Sequence, residues 1–496
     1  MIDLTLAQAL QKLNAREISA TELTRAHLDR IEKFGKELNC YITLTPERAL
    51  ADASESDRRY AEGTARALEG IPIGMKDLFA TKGIRTTAAS RMLENFIPEY
   101  ESEISRRVAG AGTVLLGKTN LDEFAMGSLS ATSYFGPPIN PHQRARRLTA
   151  GGSSGGSSSA VAGGLAIAAT CTDTGGSVRF PAAMTGLVGM KPTYGLCSRS
   201  GCVAFASSFD TPSSIARNVD DCALMLSVMA GHDKNESTSA PQADEVAKEI
   251  SKALGSGISL SPLSLKGIKV GVIKEFAGVE ISKDMKRAFD ENLRALENKG
   301  AEVVEVSIPN ILDALVAYYI ITPAEASSNL ARYDGMRYGL RVDGNDLIDT
   351  YKKTRAAEFG KEVQRRMVVG TAVLSSESYE VYFLQAARIR RMISDGFAKA
   401  FDKCDLIVCP VSAGPAFPLD EKLTALEEYA LDVFTIVVNL VGIPACSAPA
   451  GLAENGLPLG LQVLGRRFDD LRVMRLAKHI ESFAALDNRP TKVMGE

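Results

Sequence analysis

The chain has 496 residues, 45% of them apolar and 24% charged, and its 57 Lys and Arg against 60 Asp and Glu leave a formal net charge of -3. That composition excludes a disordered, collagen-like or mucin-like chain. A balanced charge without a long basic run also excludes a phosphate-neutralising nucleic-acid surface. Surface scaling predicts about 18,000 Å² of accessible area after folding, a large core that needs no covalent staples. The eight cysteines stand singly with no CxxC pair, as expected of reduced, buried thiols in a cytoplasmic protein. Met-Ile-Asp-Leu-Thr-Leu at the N-terminus carries an early acid and lacks the features of an export signal. The longest small-apolar stretch, 160–170, is interrupted by Gly163 and Gly164, well short of the roughly 18 residues that signal a membrane span.

In chain order, Ser19-Ala-Thr-Glu22 reads as a capping box, and Leu23, Leu28 and Ile31 follow at near-helical spacing. Residues 1 to about 65 are therefore expected to form amphipathic helices outside the core. Short β-rich runs then appear at 71–75, 113–116, 269–273, 303–306, 406–411 and 461–464, interleaved with helical stretches, which predicts an α/β sheet. One βαβ unit is explicit: a strand at 269–273, a helix marked by Met285, Phe289, Leu293 and Leu296, a stop at Gly300 and a strand at 303–306. Before that unit, about 233–265 is rich in Ser, Ala, Pro, Lys and Glu with weak periodicity, and reads as a polar surface excursion, the best candidate for a boundary. A helix closes the chain at 471–482. No repeat of fixed period is present.

Residues 151–176 hold eight glycines and five serines: Gly-Gly-Ser-Ser-Gly-Gly-Ser-Ser-Ser, a small-residue stretch expected to be helical, then Thr-Asp-Thr-Gly-Gly. Flexible linkers share this composition, but 160–170 is apolar enough to be buried, and buried glycine implies close backbone approach or positive φ. Two short patterns compete nearby. Residues 112–119, Gly-Thr-Val-Leu-Leu-Gly-Lys-Thr, match a phosphate-binding loop but place strand formers where that loop needs turns. Gly151-Gly-Ser153-Ser-Gly155 matches a nucleophile elbow, which requires a downstream acid and histidine, and only His232 and His479 follow it. A serine nucleophile without histidine can use a neutral lysine. Lowering a lysine pKa from about 10.4 to about 7 takes roughly 4.6 kcal/mol, which burial can supply. Lys76, ending the apolar run Ile71-Pro-Ile-Gly-Met, fits that role; pairing with Asp77 is its structural alternative.

Taken together, Lys76, Gly-Gly-Ser153-Ser154-Gly-Gly-Ser and Asp173-Thr-Gly-Gly-Ser177-Val-Arg179-Phe-Pro-Ala resemble the amidase signature family with its Ser-Ser-Lys apparatus. The resemblance implies one amidase domain over 1–496, an α/β fold with a mixed β-sheet core covered by helices on both faces. It implies Ser177 as acylating nucleophile, Ser153 as bridging serine 24 residues earlier, and Lys76 as terminal base. Backbone N–H groups of Thr174, Gly175, Gly176 and Ser177 would form the oxyanion hole, Ser154 and Arg179 would support the site, and Asp173 would fix the loop. The peptide bond from Gly152 to Ser153 is expected to be cis. Ala150, Phe180 and Ser376-Glu-Ser-Tyr depart from the family's usual residues without removing a reacting group.

More narrowly, 203–210, 318–334 and 438–444 are similar to a branch of that family, the glutaminase A subunits of glutamyl-tRNA(Gln) amidotransferases. This similarity implies glutamine as substrate, with Asp432 meeting its α-ammonium, Arg365 its α-carboxylate and Tyr318 as a further contact. Arg366 and Tyr319 are the adjacent alternatives in register. It also implies a heterotrimer with B and C subunits, Glu-tRNA(Gln) held mainly by B, and ATP and Mg2+ used on that partner, with no cofactor or metal in this chain and no membrane. The alternatives are a free-standing amidase acting on small or aryl amides and a non-catalytic scaffold.

Overall fold

A computed structural model describes residues 1–496. Eleven strands form one sheet: β1 (Tyr41–Leu44), β2 (Pro72–Lys76), β3 (Val114–Thr119), β4 (Ala168–Asp173), β5 (Val188–Lys191), β6 (Thr211–Ala216), β7 (Lys269–Ile273), β8 (Glu302–Val306), β9 (Leu406–Pro410), β10 (Ala445–Leu452) and β11 (Pro458–Leu464). Their spatial order is β1-β3-β2-β4-β6-β5-β10-β11-β9-β7-β8. The sheet is mixed: β3, β2 and β4 run parallel, as do β9, β7 and β8, and every other pairing is antiparallel.

Side chains alternate across a strand, and the core divides accordingly. Leu406 and Val408 of β9 enter a 70-residue apolar cluster, whereas Ile407 and Cys409 enter a separate cluster of 43 residues. The first cluster packs the N-terminal helices and the helices Val219–Met229, Lys283–Asn298 and Asp470–Ala484 on one face. The second packs Ala314–Asn329, Lys361–Val373, Leu384–Phe401 and Ile436–Val441 on the other. Covering both faces explains why the central strands read as continuous buried runs. The accessible area is 18848 Å².

The βαβ unit forms as expected, and the Ser19 capping box is made, Glu22 N donating to Ser19 Oγ at 3.0 Å. Two expectations need correction. The helix of the glycine-serine segment is Gly155–Ala162, so Ser157, Ser158 and Ser159 are themselves helical, and 168–173 is strand β4. The polar stretch 233–265 contains a helix, Ala243–Leu254, whose Val246, Ile250 and Leu254 face the Val219–Met229 and Asp470–Ala484 helices. As its strand-forming residues imply, the phosphate-loop pattern at 112–119 is mostly strand β3. All eight cysteines are free; seven are buried and Cys202 is partly exposed. No helix is long and apolar enough to cross a membrane.

Candidate active site

Because β2 and β4 are parallel neighbours, their C-terminal ends lie side by side, the usual place for a site in an α/β sheet. Lys76 ends β2, and Thr172 and Asp173 end β4. The Lys76 side chain is fully buried. Its Nζ lies 2.8 Å from each of three hydroxyls, Ser153 Oγ, Ser154 Oγ and Thr172 Oγ1. No carboxylate touches it. Asp77, one residue on, points across the sheet: it accepts bonds from the Thr87 N–H at 2.8 Å and from the Thr87 hydroxyl, and it pairs with Lys118 at 3.2 Å. The Lys76–Asp77 alternative is thereby removed, and Lys118 of the phosphate-loop pattern is occupied as well. Burial pulls the Lys76 amine down from 10.5 to about 8, against the opposing pull of the acidic groups around it, including Asp122 and Asp173.

The serine loop is held from its far side. Ser130 Oγ donates to Gly151 O at 2.9 Å and accepts from Gly155 N at 3.0 Å, and Asp122 N donates to Ser153 O at 3.2 Å. The Gly152–Ser153 peptide bond is cis. A Cβ on Gly152 would overlap the Asp122 carboxylate and the 128–129 backbone, so only glycine fits there.

Ser177 sits on the turn between β4 and the helix Arg179–Thr185, 7% exposed, with its hydroxyl free of protein partners. The turn is built around Asp173. That carboxylate accepts from Gly176 N at 2.9 Å and Val178 N at 3.2 Å, and it takes a two-point ion pair from Arg179, Nε at 3.0 Å and Nη2 at 2.9 Å. Asn439 Nδ2 donates to both the carbonyl and the carboxylate of Asp173 at 2.9 Å. Arg179 reaches on to Gln462 Oε1 and Asn439 Oδ1, each at 2.7 Å. Burial alone would raise the Asp173 pKa, but the Arg179 guanidinium holds it at about 2. Asp173 thus fixes the loop and stays ionised. Replacing it with Asn strands a buried guanidinium and is expected to cost about 3–5 kcal/mol. The check is a lowered urea midpoint at unchanged m.

Of the four N–H groups expected to serve as oxyanion donors, that of Gly176 is engaged by Asp173, whereas those of Thr174, Gly175 and Ser177 have no protein acceptor. Gly176 still matters for space: its φ is +134° and a Cβ would overlap Thr435, whose hydroxyl donates to Gly175 O at 2.6 Å. The Thr174 hydroxyl is tied to Asp210 at 2.7 Å.

At the next layer the structure reverses the expected arginine register. The Arg365 side chain is 51% exposed and pairs with Glu362, whereas the Arg366 side chain is 5% exposed and faces inward. Adjacent helix residues differ by about 100° in direction, so only one of the pair in the Lys361–Val373 helix can point in. Arg366 Nε is bonded to Glu362 Oε1 at 2.8 Å, and its two terminal nitrogens have no protein acceptor. At the tyrosines, the Asp432 contact belongs to Tyr319, whose hydroxyl donates to Oδ2 at 2.8 Å. Tyr318 instead packs over Gly175, where a Cβ would overlap its ring and hydroxyl. Ser128 completes the Asp432 shell with contacts of 3.0 and 2.9 Å. Burial raises the Asp432 carboxyl to about 6, with the Tyr319 and Ser128 hydroxyls pulling it back.

Sequence reasoning missed Thr172, Ser128, Asn439 and Gln462. Asn439 lies in 438–444, a segment that carries the resemblance, and Gln462 lies in the β-rich run expected at 461–464, the only signals available for them. No histidine contacts Ser153 or Ser177; the ring of His479 bonds Leu263 O, so the elbow reading has no base. No group of three His, Cys, Asp or Glu side chains is placed to hold a metal ion.

A mixed α/β sheet whose strand end presents a buried, carboxylate-free lysine to two serine hydroxyls defines an α/β protein with a serine-lysine cluster. The Amidase family model matches residues 22–474, and the chain belongs to that family. It is 48% identical over 497 residues to the A subunit of the glutamyl-tRNA(Gln) amidotransferase of Hyphomonas neptunium, covering 99% of each chain. The corresponding protein of Rhizobium johnstonii is 49% identical, with 98% of each covered. Among solved structures, the A subunit of the glutamyl-tRNA(Gln) amidotransferase of Thermotoga maritima aligns with a TM-score of 0.77 at 36% identity, covering 97% of this chain and 95% of that one. The peptide amidase of Stenotrophomonas maltophilia aligns at 0.82 with 29% identity and 98% of each chain covered.

Proposed function

We propose that this chain is the glutaminase component of a glutamyl-tRNA(Gln) amidotransferase, hydrolysing glutamine through Ser177, Ser153 and Lys76 and passing the ammonia to a partner. The observation that carries it is the Lys76 amine, fully buried and bonded only to hydroxyls. With a pKa of about 8, a useful fraction of this amine is neutral near physiological pH. A neutral amine donates two hydrogen bonds and accepts one, so the Ser153 hydroxyl can turn its proton toward Nζ.

Ser177 Oγ then attacks the side-chain amide carbon of glutamine. Its proton passes to Ser153 as the Ser153 proton passes to Lys76, and the developing oxyanion is met by N–H groups of Thr174, Gly175 and Ser177. Collapse breaks the C–N bond while the relay runs backward to protonate the departing nitrogen, so ammonia leaves and a glutamyl ester remains on Ser177. Water, deprotonated through the same relay, cleaves the ester to glutamate and restores the serine.

The substrate's zwitterionic end supports glutamine over a simple amide. Arg366 offers an unpaired nitrogen fork for the α-carboxylate, and Asp432 with Tyr319 and Ser128 offers an anion for the α-ammonium. The names and high identity of the amidotransferase relatives favour this reading over a free-standing amidase. ATP, Mg2+ and Glu-tRNA(Gln) are assigned to a B subunit, with a C subunit joining the two. The test is transfer of label: coexpressed with B and C subunits and given amide-15N glutamine, ATP and Glu-tRNA(Gln), the complex is expected to place 15N in glutaminyl-tRNA(Gln). Unlabelled product, or none, overturns the proposal.

A further inference from the structure

The short helix Ala425–Ala430 and the turn after it bring Tyr429 and Asp432 to the same wall of the site. Tyr429 is half-buried and makes three contacts that converge on the two charged poles. Its ring stacks on Tyr319, with centroids 4.0 Å apart and planes 18° from parallel. The Arg366 guanidinium lies 5.7 Å from its centroid and 5.4 Å from those of Tyr319 and Phe205. The Tyr429 hydroxyl donates to Glu362 Oε1 at 3.1 Å, the oxygen that also accepts from Arg366 Nε. Glu362 therefore holds Tyr429 and Arg366 together, while Tyr319 links the stack to Asp432.

An arginine gripped at Nε and packed among three aromatic rings has lost most of its rotamer freedom before substrate arrives. The guanidinium lies beside the Tyr319–Tyr429 stack, nearly equidistant from the two rings, and the Tyr319 hydroxyl ties that stack to Asp432. We propose that Tyr429, locked by Glu362, is a positioning residue that fixes the span between Arg366 and Asp432 and so selects amides carrying both an α-ammonium and an α-carboxylate. The inference rests on the glutamine reading above and adds the element that enforces it.

The experiment compares glutamine with propionamide, which lacks both α-groups, in the full-chain complex. Tyr429→Ala is expected to raise KM for glutamine about tenfold or more while kcat changes less than about threefold, the mark of lost ground-state positioning. The ratio of glutamine to propionamide kcat/KM is expected to fall about tenfold. Tyr429→Phe keeps the stack and loses only the Glu362 bond, so a smaller rise in KM, about two- to fivefold, is expected from a variant that packs like the parent. Equal losses on the two substrates, or an unchanged KM for glutamine in both variants, overturn the inference and leave the glutaminase reading standing. A parent enzyme that hydrolyses propionamide and ignores glutamine overturns both.

Discussion

Lys76→Met is expected to lower ammonia release from glutamine by about a thousandfold or more, the upper part of the range for a lost general base. Methionine fills nearly the same volume in the buried site but has no lone pair to draw the Ser153 proton, and no other base lies within reach of that hydroxyl. Lys76→Arg should fare no better, because a guanidinium does not deprotonate in this range. In the parent, kcat/KM should climb about tenfold per pH unit below about 8 and level off above it, since the reactive form is the deprotonated amine. Residual activity in the methionine variant should show no inflection there. A variant keeping more than about a tenth of parental activity rules out Lys76 as the base.

The same burial leaves a signature in stability. Lysine titrates near 10.5 when exposed, and at about 8 here because burial disfavours the cation. Between those values the unfolded chain binds more protons than the folded one, so stability rises with pH across that window. The rise amounts to about 3 kcal/mol. Below pH 8 the folded state bears that penalty in full. The methionine variant lacks the rise, so the parent should gain on it as pH goes from 8 to 10.5 in paired denaturation curves. Catalytic competence and stability pull against each other at this one side chain.

What sequence makes legible follows from how local each signal is. Lys76, Ser153 and Ser177 stand in runs whose glycines and apolar neighbours mark a buried, tightly approached backbone. The strands at 269–273 and 406–410 carry Val and Ile, and the sequence places both within a residue of their observed bounds. Strand β4, Ala-Ala-Thr-Cys-Thr-Asp, has no Val or Ile and follows a glycine-rich helix, so its extended form is imposed by pairing with β2 and β6 rather than by propensity. The helix inside 233–265 is masked because a polar outer face dilutes the Val246–Ile250–Leu254 stripe. At the substrate end, neighbouring arginines are equivalent by composition, and only the phase of the Lys361–Val373 helix separates Arg366 from Arg365. Ser128 meets Asp432 across 304 residues of chain and Asn439 meets Asp173 across 266, juxtapositions that local spacing does not encode.

Ser177→Ala is expected to abolish glutamine-dependent amidation by the assembled complex, with a loss of about 10⁴-fold or more, as for nucleophile removal in other serine enzymes. Ser153 remains on the Lys76 amine in that variant, and in the proposed relay it passes the proton rather than attacking the amide carbon, so it is not expected to substitute. Folding should be preserved: the hydroxyl makes no protein contact, and the Asp173, Arg179 and Asn439 network that shapes the turn is untouched. Ammonium chloride separates the two halves of the reaction. If this chain only generates ammonia, added ammonium should restore amidation by the Ser177→Ala complex to the level the parent reaches with the same salt, while glutamine does nothing. Mass spectrometry should find a glutamyl ester on the parent's Ser177 in an acid quench and none on the variant. Glutamine-supported amidation by Ser177→Ala would place the nucleophile elsewhere; failure of ammonium to rescue would mean that this chain contributes to the partner's chemistry as well.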